Sequence, residues 1–321
     1  MRLPAVATLP VAVLATALCL TGTAGATEIG AYRGPGCDGR KAMAEFETFI
    51  GRKAERTVDA LNAESWREMR RSIPWIVKCW SGSGIALTLS VPMLPRGGGS
   101  TLREGADGDY DQVFLDTARA LVRYGQQDAI VRIGWEFNGD WVPWAASKDS
   151  EAYKLYFRRI VETMRSVPGQ AFLFEWCPNH GRHAMDPTEA YPGDDVVDVI
   201  GMDVYAEEWN DPDADPAERF RNYLEQPFGL KWHRDFARER GKPTSYPEWG
   251  VGDKPGGHGV GDDPVFIAGM ADWFEEAKPL YQSYWDVRAS DYNARMSDFQ
   301  FPAAAEMFQR RFGAAAVHSG N

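Results

Sequence analysis

The chain has 321 residues, of which 44% are hydrophobic, 25% are charged and 12% are aromatic. This composition is globular and excludes a disordered, collagen-like or disulfide-dense chain. The formal net charge of −11 argues against nucleic acid or an anionic membrane as a partner, since both attract clustered lysine and arginine. The 12 tryptophans exceed what a core needs and indicate a ligand with flat apolar faces.

The first 26 residues have the pattern of a secretory signal peptide. Arg2 precedes an apolar, uncharged stretch over residues 5–20, and Ala24-Gly25-Ala26 is a small-residue cleavage site. The apolar stretch is short for a transmembrane helix. We therefore expect a secreted, extracellular protein that is cleaved near Ala26, with residues 27–321 forming one domain.

Three cysteines lie beyond this cleavage site: Cys37, Cys79 and Cys177. Their odd number leaves at least one thiol free or paired with another chain. Cys37 and Cys79 are one candidate pair, and the sequence alone does not establish the bridge.

Short β-rich runs alternate with amphipathic helical patterns along the chain. Eight runs are predicted as strands: Glu28–Tyr32, Thr57–Leu61, Ala86–Val91, Ala129–Trp135, Ala171–Trp176, Val197–Val204, Pro243–Tyr246 and Leu280–Trp285. Apolar residues spaced near 3.6 predict helices over Asp111–Tyr124 and Glu151–Val167, and a capping box at Asp215 begins another. This alternation predicts a single-domain α/β fold, a (β/α)8 TIM barrel; a doubly wound open sheet is the alternative.

Two glutamates follow predicted strands that stand far apart in the barrel. Glu136 ends the fourth and Glu248 the seventh, so both are expected at the mouth, where barrel active sites lie. Glycoside hydrolysis needs such a pair, one carboxyl to protonate the leaving oxygen and one carboxylate to attack the anomeric carbon. A separation of about 5–5.5 Å would indicate retention of configuration. The alternative is that both glutamates only form ion pairs at strand ends.

Motifs on five predicted strands resemble glycoside hydrolase family 26, the β-mannanase family of retaining (β/α)8 hydrolases. The motifs cover Gly30–Gly34, Trp135–Trp144, Phe174–Asn179, Tyr191–Tyr205 and Lys242–Gly250. The resemblance implies that Glu136 is the acid/base and Glu248 the nucleophile. It also implies that Tyr205 contacts the nucleophile, and that Trp141 and Trp285 line the sugar subsites.

Three positions depart from the family pattern. Trp135 precedes the acid/base, where the family usually has histidine. Asp286 follows the tryptophan of the last strand, where mannanases often have a basic residue, and Tyr246-Pro247 precedes the nucleophile.

Aromatic side chains near the mouth are candidate sugar platforms, because pyranose rings pack their C–H faces on indoles. The candidates for substrate binding are Trp135, Trp141, Trp144, Trp176, Tyr205, Trp209 and Trp285. Asn138 is a further candidate, for a sugar 2-hydroxyl. The alternative for the aromatic residues is core packing, and for Asn138 it is a turn with Gly139.

These features predict a secreted glycoside hydrolase that is endo-acting on a polysaccharide. The first prediction is endo-β-1,4-mannanase activity. The alternatives are β-1,3-xylanase and mixed-linkage β-glucanase activity. We expect a monomer that needs no cofactor or metal ion. A non-catalytic carbohydrate-binding barrel and a wall-attached structural domain are the alternatives from other classes, and neither requires two poised carboxylates.

Overall fold

The computed structural model describes residues 26–209, 211 and 213–314. The predicted signal peptide, apart from Ala26, lies outside these residues. Within them the chain forms nine strands: β1 (Glu28–Tyr32), β2 (Arg56–Ala60), β3 (Ala86–Val91), β4 (Ile130–Ile133), β5 (Leu173–Trp176), β6 (Val199–Gly201), β7 (Val204–Tyr205), β8 (Thr244–Gly250) and β9 (Tyr281–Trp285).

Helices surround these strands. The described part of the chain contains α1 (Gly36–Ile50), α2 (Trp66–Trp80), α3 (Leu102–Asp107), α4 (Asp111–Arg123), α5 (Ser150–Arg165), α6 (Pro216–Glu225), α7 (Leu230–Glu239), α8 (Pro264–Ala277) and α9 (Pro302–Phe312). None of the helices in this part is both long enough and apolar enough to cross a membrane.

The strands are parallel and close into a barrel. β1 pairs with β2 and β9, and β6 pairs with β8 where Ile200 lies beside Thr244. The two-residue strand β7 pairs only with the end of β8, so it extends the sixth barrel position rather than adding a ninth. The ring therefore has eight positions. The predicted (β/α)8 barrel is confirmed, and the open-sheet alternative is wrong because β6 and β8 close the ring.

Helix α5 supports the ends of two strands from outside the barrel. Asp149 caps the helix by accepting the backbone N–H of Ala152. The buried hydroxyls of Tyr153 and Tyr156 then reach carbonyl oxygens that follow β4 and β3, at 3.0 and 2.9 Å respectively. Helix α5, which the amphipathic pattern predicted, therefore holds the backbone at Gly134, two residues before Glu136.

The interior of the barrel contains a polar layer. Tyr281 on β9 donates a hydrogen bond to Glu175 on β5 at 2.8 Å, and Ser245 on β8 donates to the same carboxylate. Strands β5 and β9 are not neighbours, so the tyrosine contact crosses the barrel. The ring of Tyr281 also packs with Val58 and Ile130 in a small apolar cluster that is separate from the main hydrophobic core.

A disulfide and a buried carboxylate attach the first two helices to the barrel. Cys37 on α1 and Cys79 on α2 are bonded, which settles the pairing that the sequence left open. Asp59 at the end of β2 accepts hydrogen bonds from the backbone of Gly36 and the indole of Trp80, both at 2.7 Å. Burial raises the pKa of Asp59 to about 6.

Candidate active site

A buried arginine holds Glu248 at the mouth of the barrel. Arg132 on β4 is fully buried, and its guanidinium forms an ion pair with Glu248 on β8. The hydroxyl of Tyr205 donates to the other Glu248 oxygen at 2.8 Å. A guanidinium and a hydroxyl both stabilise the ionised form of a carboxylate. Both Glu248 oxygens are therefore oriented by donors that favour a negative charge.

The second carboxylate beside Arg132 is in a different environment. Asp203, just after β6, accepts a hydrogen bond from Arg132 at 3.0 Å and contacts the Cys177 thiol at 3.4 Å. Its other oxygen is buried and has no hydrogen-bond partner among the described residues. Burial raises the pKa of Asp203 well above its usual range, and the charge of Glu248 adds to the rise. Arg132 is therefore shared between Glu248 and Asp203.

The free cysteine is part of this buried cluster. Cys177 is the free thiol of the described residues and is fully buried. Burial raises the pKa of its thiol, so it contacts Asp203 as a neutral S–H donor.

Glu136 lies in a strained turn directly after β4. Its φ is +54°, and Gly134 just before it has φ +51°. A left-handed conformation costs a residue with a Cβ about 1 kcal/mol or more, so the surrounding structure must enforce it. The backbone N–H of Glu136 donates to the Cys177 carbonyl at the end of β5, at 2.8 Å. The turn is thus attached to the neighbouring strand.

Two donors orient the Glu136 carboxyl group. The indole of Trp141 donates to one oxygen at 2.8 Å, and the side-chain amide of Asn179 donates to the other. Burial and, next, the nearby charge of Glu248 together raise the pKa of Glu136 to about 7, against the lowering effect of these two donors. Glu136 is therefore near enough to Glu248 for the charge of that carboxylate to act on it. Glu136 can exchange a proton near neutral pH, as an acid/base group must.

Trp141 forms the outer wall of the pocket. Its ring is 45% exposed and lies on Gly139, where a Cβ atom would come within 2.3 Å of the ring. Glycine at this position therefore lets the indole lie against the backbone beside Glu136. The ring also packs edge-on against His183, with centroids 5.0 Å apart.

An aromatic stack lies beside Glu248 on the other side. Trp285 at the end of β9 stacks on Tyr32 at the end of β1, with ring centroids 4.3 Å apart. Tyr205 meets the Trp285 ring edge-on at 6.2 Å. Both stacked rings are half-buried, so part of this flat surface remains open to a ligand.

Trp135 and Trp209 occupy different depths of the mouth. Trp135 is half-buried beside the charge cluster, with the Arg132 guanidinium 4.9 Å from its ring centroid. Trp209 follows β7, is 60% exposed and stacks on His258 at 3.7 Å. The structure therefore gives Trp135 an inner position and Trp209 an outer one.

Two predicted sugar platforms are wrong because they belong to the core. Trp176 is fully buried and packs against Phe137 and Phe236 between the barrel and the helices. Successive strand residues point to opposite faces, so the inward Glu175 places Trp176 outward. Trp144 is also fully buried, and its indole donates to a backbone carbonyl at 2.7 Å.

Asn138 is also misassigned as a direct sugar contact. Its side chain is buried and makes two hydrogen bonds of 2.8 Å with the backbone of Asn179. Both polar atoms of the amide are thereby occupied. Asn138 fixes the loop after β5, and Asn179 is the residue that reaches Glu136.

Three residues of this pocket are missing from the sequence predictions: Arg132, Asn179 and Asp203. A signal for Arg132 was available, since a charged residue inside an otherwise apolar strand must find a buried partner. Asn179 and Asp203 lie in the motifs that resemble family 26, but only the folded chain shows which atoms they contact.

The raised pKa of Glu136 predicts a pH-dependent effect on stability. The folded-state pKa of about 7 exceeds the ordinary glutamate value of 4.5, so the contribution of this group to stability is fully present below pH 4.5 and is lost as the pH rises through 7. Glu136→Gln should therefore be more stable than the wild type at pH 8, by up to about 3 kcal/mol, and nearly equal at pH 4.5. Urea unfolding at both pH values measures the difference.

The exposed Glu64, on the loop before α2, provides the control for this measurement. Glu64→Gln should leave the free energy of unfolding unchanged at both pH values. A Glu136→Gln difference that is the same at pH 4.5 and pH 8 would contradict the prediction.

Known sequences match part of the chain. The model of Glycosyl hydrolase family 26 matches residues 115–231, a segment that contains Glu136 and Tyr205 and ends before Glu248. A mannan endo-1,4-β-mannosidase of Bifidobacterium adolescentis is 32% identical over 159 residues. This alignment covers 47% of the present chain but only 15% of that relative.

Solved structures share the barrel over most of the chain. The catalytic domain of a family 26 endo-β-1,4-mannanase from Bacillus sp. JAMB-750 has a TM-score of 0.64 at 18% identity, covering 92% of this chain and 89% of that one. A modular endo-β-1,4-mannanase from Cellulomonas fimi has a TM-score of 0.62 at 17% identity, covering 87% and 70%. The predicted resemblance to glycoside hydrolase family 26 is therefore confirmed by sequence over residues 115–231, and the solved structures confirm the barrel fold over most of the chain.

Proposed function

We propose that this chain is a retaining β-glycoside hydrolase with Glu136 as acid/base and Glu248 as nucleophile. The main support is the contrast between the two carboxyl groups. One has a pKa of about 7 in a partly buried turn, and the other is held by Arg132 and Tyr205. Such a contrast assigns one group to proton donation and the other to attack.

In the first step Glu248 attacks the anomeric carbon while the bond to the leaving oxygen breaks. Glu136 gives its proton to that oxygen, so the aglycone leaves as a neutral alcohol. The Glu248 charge is consumed in the ester bond of the glycosyl-enzyme. Because that charge contributes to the raised pKa of Glu136, its loss lowers this pKa when Glu136 must be ionised.

In the second step Glu136 takes a proton from water, and the resulting hydroxide attacks the anomeric carbon. The ester bond to Glu248 breaks, and the carboxylate returns to its donors, Arg132 and Tyr205. Two inversions give net retention of configuration. The changing charge of Glu248 thus helps to convert Glu136 from acid to base and back.

We propose β-1,4-mannan as the substrate, with internal cleavage. The named relatives are mannan endo-1,4-β-mannosidase and endo-β-1,4-mannanases. Exposed Trp141 and Trp209 suit a polysaccharide that extends beyond the pocket. Asp286, which departs from the family pattern, does not itself face a sugar, since this carboxylate is fully buried and pairs with Arg33 at 2.7 Å. β-1,3-Xylan and mixed-linkage β-glucan are the alternative substrates.

Replacing either glutamate should abolish hydrolysis and leave glycan binding in place. Glu136→Gln and Glu248→Gln should each reduce kcat on a polysaccharide by about a thousandfold or more, because each removes an essential proton donor or nucleophile. Reducing-sugar release measures turnover, and calorimetry with an oligosaccharide measures binding. Glu64→Gln should retain wild-type activity.

NMR of the first-formed hemiacetal tests the stereochemistry, and an α-product from a β-glycan would contradict the retaining mechanism. A wild-type protein that binds β-glycans without cleaving any would favour the non-catalytic carbohydrate-binding alternative. A protein that neither binds nor cleaves would favour a structural role.

A substrate panel tests the proposed specificity. β-1,4-Mannan should be cleaved at least about tenfold faster than β-1,3-xylan or mixed-linkage β-glucan, measured as kcat/KM. Chromatography of early products should show a spread of oligosaccharides, as internal cleavage requires. Faster cleavage of another glycan, or one small sugar from the outset, would overturn the substrate or the endo mode.

We also propose that the protein is secreted and that residues 1–26 are removed. The Cys37–Cys79 disulfide supports this, because such bonds persist in oxidising compartments. Expression of the full chain in a secreting host should yield an exported protein whose amino terminus is Thr27. Retention in the cytoplasm with Met1 intact would contradict the proposal.

A further inference from the structure

We propose that His183 is a positioning residue that makes the Asn179 side chain present its N–H, rather than its carbonyl oxygen, to Glu136. The proposed mechanism gives no role to His183 itself, although its neighbours Asn179 and Trp141 both donate to Glu136. The effect on catalysis rests on the proposed function. The effect on the Glu136 carboxyl group does not, because it follows from the contacts of His183, Asn179 and Glu136 alone.

His183 Nε2 must be the donor in both of its hydrogen bonds. Its Nε2 lies 3.0 Å from the backbone carbonyl of His180 and 2.8 Å from Oδ1 of Asn179. A backbone carbonyl oxygen only accepts, so Nε2 carries the proton and donates. The Asn179 atom that shares this donor must then be its oxygen. The amide nitrogen is consequently turned towards Oε1 of Glu136.

His183 also contacts the second donor of the Glu136 carboxyl group. The Trp141 ring, whose indole N–H donates to Glu136, packs edge-on against the imidazole at 5.0 Å. Asn138 hydrogen-bonds to the backbone of Asn179 and not to its side-chain amide. The imidazole is therefore the contact that decides which end of the Asn179 amide faces the carboxyl group.

The orientation matters because the two ends of an amide have opposite effects on a carboxyl group. An N–H stabilises the ionised form and lowers the pKa, whereas a carbonyl oxygen accepts from the protonated form and raises it. The Asn179 hydrogen bond lowers the pKa of Glu136 against burial. Without His183, nothing in this contact keeps the Asn179 N–H, rather than its carbonyl oxygen, directed at Glu136.

Few charged groups surround the imidazole. Those that act on His183 are Glu207, Lys254 and Asp140, together with the neighbouring His180. The side chain of His183 is exposed, and the partial desolvation that it does have lowers its pKa. Nε2 carries a proton in the cation and in the neutral tautomer that the His180 carbonyl requires, so its donation to Asn179 is defined in both.

The test is a titration of Glu136 that needs no turnover. In protein labelled with ¹³C at glutamate carboxyl groups, the Glu136 signal is identified by its absence in Glu136→Gln. His183→Ala should raise the apparent pKa of Glu136 by about 1 unit, the effect of losing one amide donor to a carboxylate. Asn179→Ala should give a similar rise. His183→Ala should add nothing in the Asn179→Ala background, because its effect passes through Asn179.

In activity assays the basic limb of the kcat/KM profile should move to higher pH by the same amount in His183→Ala. Arg182→Ala, at an exposed neighbouring position with its guanidinium over Phe228, is the matched control and should leave the titration and the profile unchanged. Thermal unfolding checks that each variant is folded.

An unchanged Glu136 titration in folded His183→Ala would overturn the proposal, as would additive shifts in the double variant. A merely structural role of His183 would lower activity without moving the titration. If the titration shifts as expected but the wild type cleaves no glycan, the positioning role stands and the proposed function fails.

Discussion

The charge of Arg132 is the constraint on which the site depends. A guanidinium with no solvent contact must be paired, because an isolated buried charge costs many kcal/mol. Its two carboxylate partners come from β8 and from the segment after β6, across the barrel from β4. The Arg132 charge is therefore neutralised only when the barrel closes and brings β8 opposite β4. This requirement fixes the position of Glu248.

The barrel gives its two mouth glutamates opposite surroundings. Glu248 has a cation and a hydroxyl as neighbours, while Glu136 has an indole, an amide and a partly buried turn. Desolvation and the charge of Glu248 outweigh the two neutral donors on Glu136, which explains its raised pKa. One pocket can therefore hold a proton on one carboxyl group and a negative charge on the other.

The elements around the pocket contribute through the backbone as much as through side chains. Tyr153 on α5 holds the carbonyl of Gly134, and the Cys177 carbonyl accepts the N–H of Glu136. Asn138 holds the loop that carries Asn179. These contacts stabilise a left-handed residue at the point where the carboxyl group must project. Strain at Glu136 is thus balanced by hydrogen bonds to two neighbouring segments, α5 and the end of β5 with its loop.

The sequence by itself determined the barrel and the placement of Glu136 and Glu248 at strand ends. Alternating strand and helix patterns are local, and parallel strands bring their carboxyl ends to one rim. Only the tertiary structure decided that Trp144 and Trp176 are core residues and that Asn179, rather than Asn138, reaches Glu136. Likewise, the pairing of Arg132 with Glu248 joins residues on opposite sides of the ring. Such contacts depend on which face of each strand turns inward and on how neighbouring segments fill the remaining space, and neither is encoded in a local pattern.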